Sequence, residues 1–318
     1  MPELPEVETI RRDLAAVLVG KKVKSVDILE PKMVSITSAA AVSDSTKNSV
    51  LKTAASPAVF FAKNLAGRRV SSIDRRGKLL IFNLTPEKSG FNYLLIHLKM
   101  TGQLIYFSAD VGRPIIGGHS DNSESDKELK SEIYPNKHTR TIFYFLGGGR
   151  LFFNDLRKFG YLKLVDKAAL GKILAAGYGP EPLSPEFSLA AFRLMLSKRK
   201  NKIKAVLLDQ KTLAGLGNIY ADESLWAARL RPNRSANSLS AAEVKKLYQT
   251  IKRILKQAIK ARGTTFNNYR DSRGKKGNFS RLLKVYGRGG AACPACGKAI
   301  SKIKLAGRGT HYCRYCQK

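Results

Sequence analysis

The chain has 318 residues, enough for two domains that each bury a hydrophobic core. It carries 57 Lys and Arg residues against 24 Asp and Glu, which gives a formal net charge of +33. A hydrophobic fraction of 43% excludes general disorder, and no uncharged apolar run approaches the roughly 18 residues of a membrane span. The charged N-terminal segment is not typical of an export signal. We therefore expect a cytoplasmic protein with a polyanionic partner, nucleic acid in particular.

The first half of the chain predicts a helix followed by a β-rich region. Apolar residues recur at helical spacing over residues 3–18, and Gly20 is placed to end that helix. Short apolar segments then predict eight strands in a β-sandwich or barrel. These segments cover residues 22–29, 69–74, 79–84, 93–98, 102–107, 141–146, 150–154 and 160–165. Two stretches rich in small and polar residues, 33–58 and 108–136, are predicted as surface insertions.

The second half has the pattern of a helical domain. Residues 166–184 include Gly, Pro and Ser and are typical of a linker. Apolar residues then recur at helical spacing, and Ser240 and Glu243 have the spacing of a capping box before the longest predicted helix. Residues 231–318 contain 22 Lys and Arg against 2 acids, so the positive charge is concentrated there.

Four cysteines near the C-terminus have the spacing of a metal site. Cys293 and Cys296 form one C-x2-C pair, and Cys313 and Cys316 form the second after a gap of sixteen residues. Two such pairs are typical of a tetrahedral zinc site on two facing turns. Disulfides are the alternative, but thiols stay reduced in the cytoplasm. The pattern predicts one structural zinc ion per chain.

Pro2 is a candidate nucleophile. Removal of Met1 would leave a secondary amine at the start of a helix, with a reference pKa near 8, and the helix dipole disfavours its protonated form. A neutral amine of this kind can form a Schiff base with a carbonyl carbon. The alternative is that Pro2 only favours the first helical turn, with Glu3 and Glu6 complementing the dipole.

A set of ordered motifs resembles the formamidopyrimidine-DNA glycosylase family. The chain contains PELPEVET (2–9), DRRGKLLIF (74–82), IHLKMTG (96–102), DLRKFG (155–160), GPEPLS (179–184), GLGNIYADESL (215–225) and a VYGRGG…CPAC…YCRYC segment (285–316). They occur in the family's order and leave only the two predicted insertions outside the resemblance.

The resemblance implies an α+β fold with several domains. An N-terminal β-sandwich with a catalytic N-terminal helix would occupy residues 1–165, followed by the linker at 166–184. A helical helix–two-turn–helix DNA-binding domain would occupy residues 185–284, and a zinc ribbon, or zinc finger, residues 285–318. Duplex DNA would lie in the cleft between the two halves of a monomer.

The implied activity is excision of oxidised purines, such as 8-oxoguanine and formamidopyrimidines, from duplex DNA. Pro2 would attack C1′ of the damaged nucleotide, and β,δ-elimination would then cleave the strand. Glu3 would move protons at the sugar, and Lys78 would lie near the lesion and its phosphate. From the residues alone, Lys78 could instead be a charge that discourages pairing at a strand edge.

Three residues match those that fill the space left by an extruded nucleotide: Met100, Arg157 and Phe159. Apolar wedges and a guanidinium can replace the lost stacking and pair with the orphan base. Ordinary packing at strand ends is the alternative for Met100 and Phe159. Lys99 departs from the family pattern, which usually has glycine there. Because glycine permits a positive φ, the resemblance does not by itself give the geometry of this loop.

Further DNA contacts are implied for five residues: His138, Arg140, Lys204, Asn218 and Arg308. Asn218 follows Gly215 and Gly217 in a turn whose N–H groups could approach a phosphate; a simple helix stop is the alternative. Arg308 lies between the cysteine pairs and could instead be one more solvated cation. Segment 264–279 matches the loop that closes over an extruded purine.

Two other functions fit parts of the sequence. An endonuclease VIII-like enzyme would act on oxidised pyrimidines, but Leu4 in place of glycine and the long 264–279 loop favour the purine branch. A non-catalytic zinc-ribbon DNA-binding protein would not need the set Pro2, Glu3 and Lys78. We therefore expect a DNA repair enzyme, located with the nucleoid, whose partner is damaged duplex DNA and not a membrane.

Overall fold

The computed structural model describes residues 1–38, 56–87, 89–108, 115–119, 134–264, 269–270 and 278–318. The chain forms two compact units. The first unit comprises Met1–Pro2, Glu6–Ala176 and Thr264–Gly277, and the second comprises Glu3–Pro5, Gly177–Gly263 and Asn278–Lys318. Within the described residues, no helix is long and apolar enough to cross a membrane.

The N-terminal helix α1 (Leu4–Leu18) forms as the apolar spacing predicts. Val7, Ile10 and Leu14 lie on one face at helical spacing and are buried in the core of the first unit. The helix ends before Gly20, which has a φ of 86° and so takes the left-handed conformation that glycine adopts without steric cost.

The strands of the first unit form two sheets. In chain order they are β1 (Val23–Ile28), β2 (Val34–Thr37), β3 (Val70–Arg76), β4 (Leu79–Leu84), β5 (Tyr93–His97), β6 (Gly102–Phe107), β7 (Ile115–His119), β8 (Thr139–Phe145), β9 (Arg150–Asp155), β10 (Tyr161–Val165) and β11 (Tyr269–Arg270). One sheet has the order β1-β8-β9-β6-β7-β11 and the other β2-β10-β5-β4-β3. Among the strand pairs of the described residues, only β2–β10 is parallel. The eight predicted strands are confirmed to within two residues at each end.

The core of this sandwich follows from the alternation of side chains along the strands. Val26 on β1 and Phe153 on β9 face Phe82 and Ile96 of the other sheet's β4 and β5 in one buried cluster. Phe152, one position along β9, points to the opposite face, where it packs in a smaller aromatic cluster. The six-stranded sheet is therefore covered on both faces.

The two predicted insertions are shorter than the sequence indicates. Strand β2 and the first two residues of helix α2 (Pro57–Leu65) lie in 33–58, and strand β7 lies in 108–136. The four-residue strand β2 is too short for its alternation to stand out from its polar neighbours, and it is recognisable only because it pairs with β10. Most of the rest of these insertions, and most of the 264–279 loop, lie outside the described residues.

The second unit is helical, as predicted. Its helices are α4 (Leu189–Ser197), α5 (Ile203–Leu208), α6 (Asn218–Ala228) and α7 (Ala241–Lys260). The Ser240 hydroxyl accepts the Glu243 N–H and the Glu243 carboxylate accepts the Ser240 N–H, so the predicted capping box is present. The segment predicted as a linker, 166–184, contains the helix α3 (Lys167–Gly177), whose run of alanine and leucine favours helix over coil.

The C-terminal part of the second unit is a hairpin with the four cysteines at its base. Strands β12 (Ser301–Leu305) and β13 (Arg308–Tyr312) are antiparallel. The turn between them contains Ala306 with a φ of 47° and Gly307 with a φ of 71°. Val285 and Ile300 are buried against two of the cysteines, and Trp226 of α6 packs on this cluster.

Candidate active site and DNA interface

The four cysteines form a set of ligands that fits zinc. Their Sγ atoms all lie within 4.8 Å of one another. The Sγ atoms of Cys293 and Cys316 are 3.9 Å apart, and those of Cys296 and Cys313 are 3.6 Å apart. Thiolates at 2.3 Å from a tetrahedral zinc ion would be about 3.8 Å apart, so the four residues fit the closed, structural type of site.

The N-terminal residues place a carboxylate at the start of α6. Pro2 is buried, two residues before α1 begins. Glu3 is 3% exposed, and its carboxylate accepts the N–H groups of Ile219 at 2.9 Å and Tyr220 at 3.4 Å. A Cβ on Gly217 would lie 2.2 Å from Cδ of Glu3, so only glycine fits there. The predicted phosphate-binding turn thus holds Glu3 with two of its N–H groups.

Glu6 links α1 to the beginning of the 264–279 segment. One of its carboxylate oxygens accepts both the N–H of Thr264, at 2.7 Å, and its hydroxyl, at 3.1 Å. Glu6 is only 3% exposed. Because both donors belong to the residue at which the segment starts, Glu6 fixes the position of Thr264.

Lys78 occupies the turn between β3 and β4 and is 5% exposed. This position is not the solvent-facing strand edge that the alternative interpretation requires. The turn is fixed by Arg75, whose guanidinium donates to the carbonyl of Gly77 at 2.9 Å and to Glu8 at 3.0 Å. Burial would raise the pKa of Glu8, but Arg11, Arg12 and Arg75 lower it to about 2.

His97 lies close to two lysines, Lys78 and Lys99. Burial, and then the charges of Lys99 and Lys78, lower the pKa of His97 to about 3, so the ring is neutral. Its Nδ1 therefore accepts the N–H of Lys99 at 3.0 Å. Lys99 has a φ of 49°, so it adopts a left-handed conformation that glycine takes without steric cost.

A buried carboxylate, Asp155, lies where β9 ends beside the starts of β6 and β8. Its Oδ1 makes a short contact with the hydroxyl of Thr101 and accepts the N–H of Arg157 at 3.1 Å. Its Oδ2 accepts the N–H of Gly160 at 2.7 Å. Asp155 has no exposed surface, and it joins the loop containing Met100 to the loop after β9.

The backbone of Asp155 also contacts two of the predicted DNA-binding residues. Its N–H donates to the carbonyl of His138 at 2.9 Å, and its own carbonyl accepts from Nε of Arg140 at 2.9 Å. Both side chains are half-buried. His138 and Arg140 are therefore grouped with Thr101 and Arg157 around one residue.

The predicted space-filling side chains are accessible. Phe159 is 53% exposed, and the guanidinium carbon of Arg157 lies 4.6 Å from the centre of its ring. Met100 is half-buried. The exposed ring of Phe159 does not fit the alternative of ordinary strand-end packing. Five of the predicted DNA-binding residues thus share one end of the six-stranded sheet.

The structure does not present Lys204 for direct DNA contact. Its side chain has no exposed surface, and its ammonium lies 2.6 Å from the carboxylate of Asp222. It also donates to the hydroxyl of Thr310 at 2.8 Å and to the carbonyl of Gly309 at 3.2 Å. Burial lowers the pKa of Lys204, and Asp222 opposes that change. Lys204 therefore supports the zinc hairpin from inside.

Asn218 and Lys204 both contact Gly309, the residue that follows Arg308 in the hairpin. The amide of Asn218 donates to the carbonyl of Gly309 at 2.9 Å. Arg308 is exposed and directly precedes Gly309 on β13. Asp222 accepts the N–H of His311 at 2.8 Å, so β13 is held on both sides of this contact. The second unit thus presents Arg308 on a strand fixed by α5 and α6.

Sequence reasoning missed the buried charges that hold these groups. Asp155 lies in the motif DLRKFG and Asp222 in IYADESL, but neither motif indicated a role for its aspartate. The available signal was an acid within an otherwise apolar run, because a buried carboxylate requires donors or a cation. Glu223 follows the same rule, with its carboxylate accepting the N–H groups of Lys284 and Val285.

Comparison with known protein families covers nearly the whole chain. The profile described as the formamidopyrimidine-DNA glycosylase N-terminal domain matches residues 1–162. The formamidopyrimidine-DNA glycosylase H2TH domain matches 178–269, and the zinc finger found in FPG and IleRS matches 290–318.

Individual proteins show the same similarity over their full length. The chain is 42% identical to a formamidopyrimidine-DNA glycosylase of Heliobacterium modesticaldum, with 100% of both chains covered. It is 40% identical to that of Enterococcus faecalis, with 100% of this chain and 97% of the relative covered.

Among solved structures, the wild-type Lactococcus lactis Fpg in complex with DNA containing N7-benzyl-Fapy-dG has a TM-score of 0.78 at 35% identity, with 100% of both chains covered. A complex of Lactococcus lactis Fpg with DNA containing an abasic site has a TM-score of 0.77 at 34% identity, with 99% of both chains covered.

Proposed function

Because the chain belongs to the formamidopyrimidine-DNA glycosylase family, a family of DNA glycosylases and AP lyases for oxidised purines, we propose that Pro2 is its nucleophile. The observation that carries this proposal is the position of Pro2 directly before Glu3, whose carboxylate is fixed by two N–H groups of α6. A nucleophile and a proton-transferring group are thus adjacent in the chain, and one of them is held rigidly.

The amine of Pro2 becomes available when Met1, which is 45% exposed, is removed. The start of α1 then favours its neutral form. Attack on C1′ forms a C–N bond and breaks the glycosidic bond, and the damaged base leaves with a proton. Opening of the sugar ring gives an iminium between Pro2 and C1′, for which Glu3 transfers the protons.

The iminium acts as an electron sink for strand cleavage. Loss of a proton from C2′ expels the 3′ phosphate, and a second elimination expels the 5′ phosphate, leaving a one-nucleotide gap. The buried Lys78, in a turn fixed by Arg75 and Glu8, supplies a positive charge for the phosphate at the lesion. The zinc ion held by the four cysteines is structural and stabilises the hairpin that carries Arg308.

DNA is held by two groups of residues, one in each unit. Met100, Arg157 and Phe159 fill the space left by the extruded nucleotide, with His138 and Arg140 beside them on the backbone. Asn218 and Arg308 contact the backbone from the second unit, and Lys204 acts through them. We place the enzyme at the nucleoid in the cytoplasm, because genomic DNA is its substrate, and we expect it to act as a monomer.

The test is borohydride trapping on a duplex that contains 8-oxoguanine opposite cytosine. We expect a covalent adduct whose linked peptide begins at Pro2, and we expect Pro2→Gly to lose both trapping and base excision. Pro5→Ala, which changes another proline of the same segment, should keep both. An adduct on an internal lysine, or a Pro2→Gly rate equal to wild type, would overturn the assignment. An oxidised pyrimidine in the same duplex measures the preference for purines.

A further inference from the structure

We propose that Asp155 is a positioning residue that sets the two void-filling loops, residues 98–102 and 156–160, as one preformed unit. This inference rests on the function proposed above for Met100, Arg157 and Phe159. The carboxylate of Asp155 hydrogen-bonds both loops, through Thr101 on one side and the N–H groups of Arg157 and Gly160 on the other. The Thr101 hydroxyl that it binds also accepts the N–H of Arg157 directly, at 3.1 Å, so Asp155 and Thr101 together join the two loops.

The hydrogen-bond partners of the Asp155 carboxylate are neutral groups. Within the described part of the chain, Asp155 makes no ion pair, although it has no exposed surface. Its two oxygens are satisfied by one hydroxyl and two backbone N–H groups. The charge is therefore stabilised only while both loops keep their positions, so the free energy of the buried carboxylate depends on the geometry of the loops.

Both loops have backbone conformations that need such support. Lys99 in the first loop has a φ of 49°, and Lys158 in the second has a φ of 54°. Left-handed conformations of residues other than glycine persist only where the surroundings enforce them. His97 enforces the first through the N–H of Lys99, and an ion pair of Lys158 with Glu30, at 2.5 Å, supports the second. Asp155 joins the two.

The contact also requires glycine at position 160. A Cβ there would lie 3.0 Å from Oδ2 of Asp155 and 2.7 Å from Cζ of Phe153. The N–H of Gly160 can therefore approach the carboxylate, and Phe159, the residue before it, is directed outward with 53% of its surface exposed. Asp155 thus fixes the root of the Phe159 wedge.

Asp155 also connects the wedge to the backbone contacts. Its N–H and carbonyl groups bond His138 and Arg140. A shift of the carboxylate would therefore move residues that grip phosphate together with those that enter the stack. We expect Asp155 to affect extrusion of the nucleotide, and to leave the attack of Pro2 on an already accessible C1′ unchanged.

The test compares two DNAs in the full-length enzyme. Duplex DNA with 8-oxoguanine opposite cytosine requires extrusion and filling of the space, whereas a single-stranded oligonucleotide with an abasic site requires neither. Asp155→Asn places an NH2 group opposite a backbone N–H in either orientation, so one contact is lost. We expect excision from the duplex to fall about 10- to 100-fold, since small misplacements cost this much. Borohydride trapping on the single strand should remain at the wild-type level.

A second pair of variants keeps the test meaningful if Asp155→Asn fails to fold. Thr101→Val removes the bridging hydroxyl and should show the same split between the two DNAs, while Thr101→Ser should restore duplex excision. Thr141→Val is the matched control, because Thr141 is fully buried and its hydroxyl has no hydrogen-bond partner in the described structure. It should leave both reactions unchanged.

A fluorescent base beside the lesion gives a readout independent of cleavage. Its unstacking should be slower or less complete in Asp155→Asn and Thr101→Val than in wild type. Equal losses on both DNAs would make Asp155 a general structural residue, and wild-type excision in both variants would equally overturn the proposal. Failure of the wild-type enzyme to cleave or be trapped on either DNA would instead contradict the proposed function.

Discussion

The two units each hold the side chains that we propose to contact DNA with a buried aspartate, but in different ways. In the first unit, Asp155 is satisfied by a hydroxyl and backbone N–H groups. In the second unit, Asp222 forms an ion pair with the fully buried Lys204 and accepts the N–H of His311. A carboxylate that is stabilised by hydroxyl and N–H donors depends on the positions of the loops that carry those donors. A carboxylate that is paired with a buried cation instead joins two structural elements through an ion pair.

This difference matches the kind of side chain that each unit holds in place for the proposed DNA contacts. The first unit offers loops whose side chains would enter the base stack, and their backbones carry left-handed lysines. The second offers Arg308 on a strand of a zinc hairpin, and the backbone contact proposed for Arg308 would require only that this strand be held in place. We therefore expect the variants below to separate lesion recognition from backbone binding.

The largest effect is expected from loss of the metal. Cys313→Ala should abolish zinc binding and, because thiolate zinc sites are coupled to local folding, DNA binding as well. The strands of the first unit should stay folded, since none of their core depends on the cysteines. Metal analysis, DNA titration and hydrogen exchange measure the three quantities. Intact DNA binding without zinc would show that the hairpin does not need the ion.

Removal of the charge on Asp222 should be nearly as severe for the second unit. Asp222→Asn leaves Lys204 buried without its partner, and breaking such pairs typically costs about 3–5 kcal/mol of the free energy of unfolding. The double variant Asp222→Asn with Lys204→Met should recover part of this loss, because the uncompensated cation is gone. Denaturant unfolding checks both. Equal stability of the single and double variants would contradict an ion pair.

Glu8 provides a pH-dependent test of the first unit. Its pKa of about 2 in the fold is below its ordinary value of 4.5, so it stabilises the protein above pH 4.5, and that contribution is lost as the pH falls towards 2. Allowing for solvent screening, Glu8→Gln should lower the free energy of unfolding by about 2 kcal/mol at pH 7. The difference from wild type should shrink below pH 4.5. A constant difference from pH 7 to pH 3 would contradict this cause.

The smallest but most selective effects are expected at Phe159 and Arg308. Phe159→Ala should leave binding to undamaged duplex nearly unchanged and slow excision of the lesion about tenfold, or about 1.4 kcal/mol in the barrier. Arg308→Ala should weaken damaged and undamaged duplex alike and reduce the salt slope by about one, the value of one phosphate contact. If both variants lost binding to damaged and undamaged duplex equally, Phe159 and Arg308 would not have the separate roles of wedge and backbone contact.

Much of the fold was predictable because it depends on local patterns. The eight segments became strands since their alternation and turn residues are local signals, and the Ser240–Glu243 capping box formed because both partners lie in one turn. The cysteine spacing similarly indicated the metal site, which the clustered Sγ atoms fit. Strand β2 was missed because four residues carry too little pattern without their partner β10.

The roles of individual charged residues could not be read in the same way. Lys204 and Arg308 are both single cations in basic segments, yet one has no exposed surface and the other is exposed. Which of them is exposed depends on partners distant in sequence, because Asp222 and the carbonyl of Gly309 bind the ammonium of Lys204.

The sequence alone determined the family, the zinc ligands and the candidate nucleophile, because each depends on residue identity at short spacing. The tertiary structure decided which polar groups are buried and what they hold. Glu3 binds N–H groups more than 200 positions away, and Asp155 binds the hydroxyl of Thr101, which is 54 positions away. Burial makes such contacts strong, since buried polar groups need partners, and only the folded chain selects which partners they find.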